Sequence, residues 1–188
     1  MTRCVLSAVV PKCFETERLF LRAPQVGDGA CLLEAICESL DALRRFPASR
    51  PWAIGEQVIE SSETFCRKGS QDFAEHTDFP FLVFLRQTRQ LIGCASVHRF
   101  NSSVPKCEIG YWCRSTMVGR GYITAAVQGL VQRTVLHLRA ARIEIVTDDE
   151  NRSPWRVYER AAFVVEGVHR REKRAPDGTL RHSRVYAY

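Results

Sequence analysis

Seven consecutive residues, Val118-Gly119-Arg120-Gly121-Tyr122-Ile123-Thr124, have the types and spacing to hold a diphosphate. They fall between a stretch patterned as a strand and one patterned as a helix. Glycine lets a backbone approach a ligand closely, and the first turn of a helix carries N–H groups with no internal partner. Arg120 either adds a charge contact or points to solvent. The same glycines also suit an ordinary tight turn, and the run by itself does not choose. It lacks the spacing of a P-loop or of a complete dinucleotide fingerprint, and it follows an antiparallel-looking strand rather than opening a parallel βαβ unit.

A second concentration of chemistry is cationic. Lys and Arg number 27 against 21 Asp and Glu, for a net charge of +6, and the pI is near 9.0. A polyanion is attracted to such a chain, whether RNA or a phosphorylated small molecule. Arg170, Arg171, Lys173, Arg174, Arg181 and Arg184 cluster near the C-terminus, where a solvated hairpin face accounts for them equally well. No RNA-binding motif accompanies them. The eight cysteines are scattered without a C-x-x-C pair, which argues against zinc and a disulfide framework and for free thiols in a reducing, cytoplasmic setting. Cys94, Cys107 and Cys113 fall within predicted strands as small apolar residues.

The elements that must position these groups are legible in the periodicity. Arg18 to Arg22 alternates as a strand, and Gly27 to Leu43 carries a helical stripe of Cys31, Leu32, Ala35, Ile36, Leu40 and Leu43. Pro47, Pro51 and Trp52 mark an irregular connection, followed by a helix from Glu56 to Lys68 that Gly69 ends. Phe79 to Arg86, Leu91 to Phe100 and Lys106 to Cys113 read as an antiparallel meander. Gly121 to Arg139 returns to helical spacing, with Val127, Leu130, Val131 and Leu138 on one stripe, and Arg142 to Thr147 is a strand. Ser153 and Pro154 are an N-cap and first-turn pair for a short helix ending near Ala162. Phe163 to Glu172 and Leu180 to Tyr188 form a hairpin about Asp177-Gly178. The expectation is a single α/β (α+β) domain over residues 1–188, with residues 1–14 a loose leader that matches a secretory signal poorly. No apolar run approaches the ~20 residues of a membrane span.

Glu108-Ile109-Gly110-Tyr111-Trp112 followed by Val118-Gly119-Arg120-Gly121-Tyr122 resembles the segment around the coenzyme A signature of the GNAT N-acetyltransferase superfamily, in its ribosomal-protein alanine/serine (RimJ/RimL-like) branch. Glu15-Thr16-Glu17-Arg18-Leu19-Phe20-Leu21-Arg22 is similar to that branch's first strand, and residues 151–167 to its last-helix motif. The resemblance covers about residues 15–188 and implies a mixed, mostly antiparallel sheet of about seven strands with helices on both faces. It further implies acetyl-CoA as cosubstrate, with Val118, Gly119, Arg120, Gly121, Tyr122 and Ile123 around the pyrophosphate, a bulge-splayed Tyr111, Trp112 and Cys113 along the pantetheine, and Asn151 in contact with the cofactor. An Asn that only stabilises its turn is the alternative for Asn151.

The chain departs from the pattern at Val118, where Gln or Arg is usual, at Pro154, where a Ser is usual, and at Ala162, where a glycine usually stops the helix. Amide formation from a thioester requires a neutral amine, a stabilised oxyanion and a proton for the thiolate. The resemblance makes Tyr158 the proton donor, and a phenol with a pKa of about 10 remains protonated at neutral pH. Ser153 is a partial substitute for the missing serine. Glu108, directly or through water, is the leading base and His98 the second, each with a purely structural role as its alternative. The resemblance also implies a backbone N–H near Cys113 facing the oxyanion. An α-amine is roughly a quarter neutral near pH 7.4 and a lysine about 0.1%, a gap of about 300-fold. The expected acceptor is therefore an N-terminal α-amine, such as that of a ribosomal protein, with polyamines and antibiotics as small-molecule alternatives. A non-catalytic CoA-binding module is the competing class. No membrane or direct nucleic-acid partner is expected, and the chain is a monomer or homodimer.

Overall fold

The computed structural model describes residues 10–188, so most of the expected leader lies outside the described residues. Eight strands form one sheet in the order β1-β2-β3-β4-β5-β6-β8-β7: β1 Cys13–Glu15, β2 Leu19–Arg22, β3 Phe79–Leu85, β4 Leu91–Asn101, β5 Lys106–Cys113, β6 Arg142–Asp148, β7 Val164–Arg174 and β8 Leu180–Ala187. Six of its seven pairings are antiparallel and β5–β6 is parallel. The eighth strand is β1, which lies partly within the expected leader. It pairs Phe14 with Leu21 and buries Phe14 edge-on against Phe81, ring centroids 5.3 Å apart.

Strand alternation divides the core into two faces. Phe81, Val83, Ala95 and Ile109 pack with the α3 stripe Ile123, Ala126, Val127, Leu130 and Val131. Leu82, Phe84, Cys94 and Trp112 pack with Leu32, Ala35, Ile36 and Leu43 of α1. The helices are α1 Gly29–Arg44, α2 Ile59–Glu75, α3 Tyr122–Arg133 and α4 Trp155–Arg160. A π turn at Thr134–Leu138 continues α3 and stops at Arg139 in a left-handed conformation.

Two local expectations are corrected. α2 does not stop at Gly69 but runs on to Glu75. A Cβ at position 69 would lie 3.0 Å from Pro80 and 3.1 Å from Pro24, so this glycine serves close helix–sheet approach. Helix α4 begins at Trp155 with Pro154, not Ser153, at the N-cap and no side-chain cap. Ala162 adopts φ 66°, the left-handed stop that suits glycine. An L-residue there costs about 1–2 kcal/mol, partly offset by glycine's greater chain entropy. Ala162→Gly is expected to raise unfolding stability by about 0.5–1 kcal/mol in urea titrations; an unchanged midpoint would show the strain to be absorbed elsewhere.

Candidate functional site

β5 and β6 pair only at their starts, Lys106 with Arg142, Cys107 with Ile143 and Glu108 with Glu144. Beyond Glu108 they part, while β6 pairs on its other side with β8 from Glu144 to Asp148. The bulge expected at Tyr111 to Cys113 is absent. There the register with β4 is continuous, and the irregularity in this pair lies between His98 and Asn101. Divergence of two strands, rather than a bulge, opens the gap. The Arg114 N–H donates to Ile92 O at 2.8 Å. Antiparallel alternation then turns Gly110 and Trp112 toward β4 and directs the backbone N–H and C=O of Tyr111 and Cys113 into the gap.

Past β5 the chain is pinned before it reaches the glycine loop. Arg114 pairs with Glu34 and, at 2.5 Å, with Glu38 of α1, and the Ser115 N–H donates to Ser39 Oγ at 3.0 Å. Gly119 and Gly121 then take φ 78° and 77°, conformations that carry a Cβ at a cost. Among the described residues the N–H groups of 119–124 donate to no carbonyl, so six consecutive free donors lie at the start of α3. Arg18 Nη2 donates to Arg120 O at 3.1 Å, with its guanidinium 4.8 Å above the Tyr122 ring. Because the peptide is planar and trans, fixing that carbonyl aims the Gly121 N–H the opposite way. A Cβ at Gly119 would meet nothing within 4 Å, which leaves the concave side open to a ligand.

The side chains of the loop contribute unequally. Val118 is 60% exposed, and Ile123 is buried among the α3 core residues as an anchor. The residues present fit a diphosphate through backbone donors at a helix start.

Tyr158 of α4 is buried at the floor of the gap, its ring centroid 5.9 Å from that of Tyr111 and 4.9 Å from that of Tyr186. Burial pushes its phenol upward, against the influence of the neighbouring Thr147 and Tyr111 side chains and the charge of Arg50. It therefore stays protonated at neutral pH. The Tyr111 hydroxyl is buried without a hydrogen-bond partner among the described residues. Burial also pushes the Cys113 thiol up to about 11, so no thiolate competes there.

Asn151 is buried and its N–H donates to Asp148 O at 3.0 Å, while its side chain makes no hydrogen bond among the described residues. The turn it occupies is held by Arg181, which pairs with Asp148 at 2.7 Å and Glu150 at 2.9 Å, and by Arg184, 2.8 Å from Asp149. Two cations of the C-terminal cluster are thus structural.

A cleft of about 660 Å³ lies on the α1–α2 side of the sheet, reaching from Trp52 and Phe65 to Glu108, Tyr111 and Tyr158. The connection after α1 supplies Ser49, Arg50 and Trp52, α2 and the turn after it supply Lys68, Asp72 and Asp78, and the last hairpin supplies Lys173. Sequence reasoning missed the residues just before and at the start of α2, Glu56 to Phe65.

Period-2 alternation sets Ser96, His98 and Glu108 on this face. Glu108 Oε1 lies 3.4 Å from His98 Nε2 and its Oε2 2.8 Å from Arg99, and Ser96 Oγ is 3.3 Å from His98 Nδ1. Burial raises the Glu108 carboxyl, but His98, Arg99 and Lys173 outweigh it and hold it below the ordinary carboxylate value. A carboxyl depressed by folding stabilises above its unfolded pKa, about 4.3, and that contribution disappears as pH falls through the folded value. Glu108→Gln is expected to cost about 1 kcal/mol of stability near neutral pH and nothing in acid below the folded value. Urea titrations across pH test this; a constant difference would mean the charge is not what matters.

The sequence profile of the acetyltransferase (GNAT) domain matches residues 18–164. A Bacillus subtilis (strain 168) protein named as a ribosomal N-acetyltransferase, YdaF, is 33% identical over 160 residues, 84% of each chain. A second from that organism, the probable N-acetyltransferase YjcK, is 25% identical over 154 residues, 81% of this chain and 84% of its own. Among solved structures, the microcin C7 self-immunity acetyltransferase MccE with acetyl-CoA and AMP superposes with a TM-score of 0.85 at 17% identity, covering 96% of this chain and 98% of its own. The ribosomal L7/L12 alpha-N-protein acetyltransferase RimL with coenzyme A gives 0.81 at 18% identity, covering 95% and 96%. These two likenesses are of fold. On the profile match and the B. subtilis relative, joined to the parted strands and the glycine loop, the chain belongs to the GNAT acetyltransferase family.

Proposed function

We propose that the protein transfers the acetyl group of acetyl-CoA to the α-amine at a protein or peptide N-terminus, by direct attack in a ternary complex. The observation that carries this reading is the parting of β5 from β6 beyond Glu108, with Tyr158 lining the cleft there and β5 leading on to the free amides of residues 119–124 at the start of α3. The name of the B. subtilis relative points the same way.

Acetyl-CoA supplies the activated thioester. The amides of Gly119 to Thr124 hold its pyrophosphate, with Arg120 as an added charge and Val118 as a bystander. Tyr111 and Cys113 offer backbone groups to the pantetheine arm, the Cys113 N–H faces the negative charge that develops on the acetyl oxygen, and Trp112 walls the acceptor side. Asn151 offers its free side-chain amide to the cofactor. Tyr158 donates a proton to the departing sulfur.

Glu108 is better suited to attract an ammonium and orient His98 than to remove a proton, since Arg99, Lys173 and its contact with His98 hold its carboxyl below the ordinary value. His98, between Ser96 and Glu108, is the base. Mixing the protein with acetyl-CoA and peptides beginning Ala or Ser, polyamines or aminoglycosides, with free thiol as the readout, tests the proposal. Release with the peptides is expected; silence across all acceptors would sink it.

A further inference from the structure

Resting on that reading, we infer that the acceptor carries an anionic group a few bonds from its amine, and that Arg50 and Ser49 form the subsite that holds it. The cleft is lined by four Lys and Arg side chains, Arg50, Lys68, Arg99 and Lys173. Lys68 is neutralised by Asp72 at 2.6 Å and Arg99 by Glu108 at 2.8 Å. Lys173 acts on the carboxylates of Glu108 and Asp148. Arg50 differs. It is half-buried, and its guanidinium makes no hydrogen bond or ion pair among the described residues, although a desolvated guanidinium is costly to leave unpaired.

Its surroundings have the same character. Among the described residues the hydroxyls of Ser49, Ser62 and Tyr111 are buried without hydrogen-bond partners, and all three residues line this cleft. Arg50 is close enough to the reacting end for its charge to favour ionisation of both Tyr111 and Tyr158. Donors without acceptors, gathered around an unpaired guanidinium, describe the complement of a carboxylate or phosphate, which arginine grips through its planar fork. A cationic acceptor such as a polyamine would instead face an uncompensated like charge. The anion has two possible sources: the α-carboxylate of a free amino acid, or an acidic side chain following a peptide's first residue.

Calorimetry on the protein saturated with coenzyme A separates them. One pair of probes is seryl-glutamate amide against seryl-glutamine amide; the other is serine against serinamide. In at least one pair the carboxylate is expected to bind about tenfold tighter or more. That preference should vanish in Arg50→Gln and turn toward seryl-lysine amide in Arg50→Glu, with melting temperatures confirming that both variants fold. Equal affinities within both pairs, or a preference that survives Arg50→Gln, would overturn the subsite. Thiol release from acetyl-CoA with the same probes keeps the two readings apart. Arg50-dependent binding without release would sink acetyl transfer and support the subsite, whereas release without any Arg50-dependent preference would sink the subsite alone.

Discussion

Gly121→Pro is expected to raise the Kd for acetyl-CoA by about 100-fold or more, while Val118→Ala leaves it within about threefold. Proline fixes φ near −65° and has no N–H, whereas Gly121 sits at φ 77° and its amide is one of the six free donors. The substitution therefore removes a donor and turns its neighbours away from the anion. Charge-assisted hydrogen bonds to backbone amides contribute about 1.5–3 kcal/mol each, so losing two accounts for a factor of 100 or more. Val118 contributes only an exposed side chain. Gly121 is also the N-cap of α3, so the variant needs a melting curve beside the titration; an intact fold with unchanged affinity would show that the loop does not hold the cofactor. Equal effects of the two substitutions would mean that side chains, not amides, do the holding.

The second large effect is expected for Tyr158→Phe, which should lower kcat by about 100- to 1000-fold, the range for loss of a positioned general acid. The ring packs between Tyr111 and Tyr186, and phenylalanine fills the same space. Stability and the KM for acetyl-CoA should therefore change little. A kcat within fivefold of the unsubstituted protein would assign proton donation elsewhere and strengthen the case for a binding module without turnover.

What was legible in the sequence was local. Glycines just ahead of a helical stripe marked residues 118–123, and the sheet was readable because alternation and turn residues coincide strand by strand. The last hairpin closes about Gly178 at φ 86° as its Asp-Gly pair announced. What was hidden depends on partners distant in the chain. Arg18 steadies a carbonyl 102 residues away, and Arg114 is held by carboxylates 76 and 80 residues away; both arginines look in sequence like solvated surface charges. Gly69 carried a helix-stop signal, and contacts with Pro24 and Pro80 gave it another use. Arg50 was invisible for the opposite reason, since its importance lies in having no partner at all.

Cationic residues near the C-terminus had suggested affinity for polyanions. Arg181 and Arg184 are instead tied to Asp148, Glu150 and Asp149, where they brace the turn that carries Asn151. The other four lie on β7. Their contribution to binding is expected to be weak and strongly salt-dependent.

The central claim is that one cleft brings a neutral α-amine to an activated acetyl group beside Tyr158. Its most direct measurement pairs two peptides of one sequence beginning Ser and containing a single lysine, one acetylated at the α-amine and one at the lysine. Thiol release from acetyl-CoA is followed near pH 7.4, where the free α-amine is favoured by about 300-fold in neutral form. The account predicts release with the peptide whose α-amine is free and almost none with the other; equal rates, or release only with the free lysine, would contradict it.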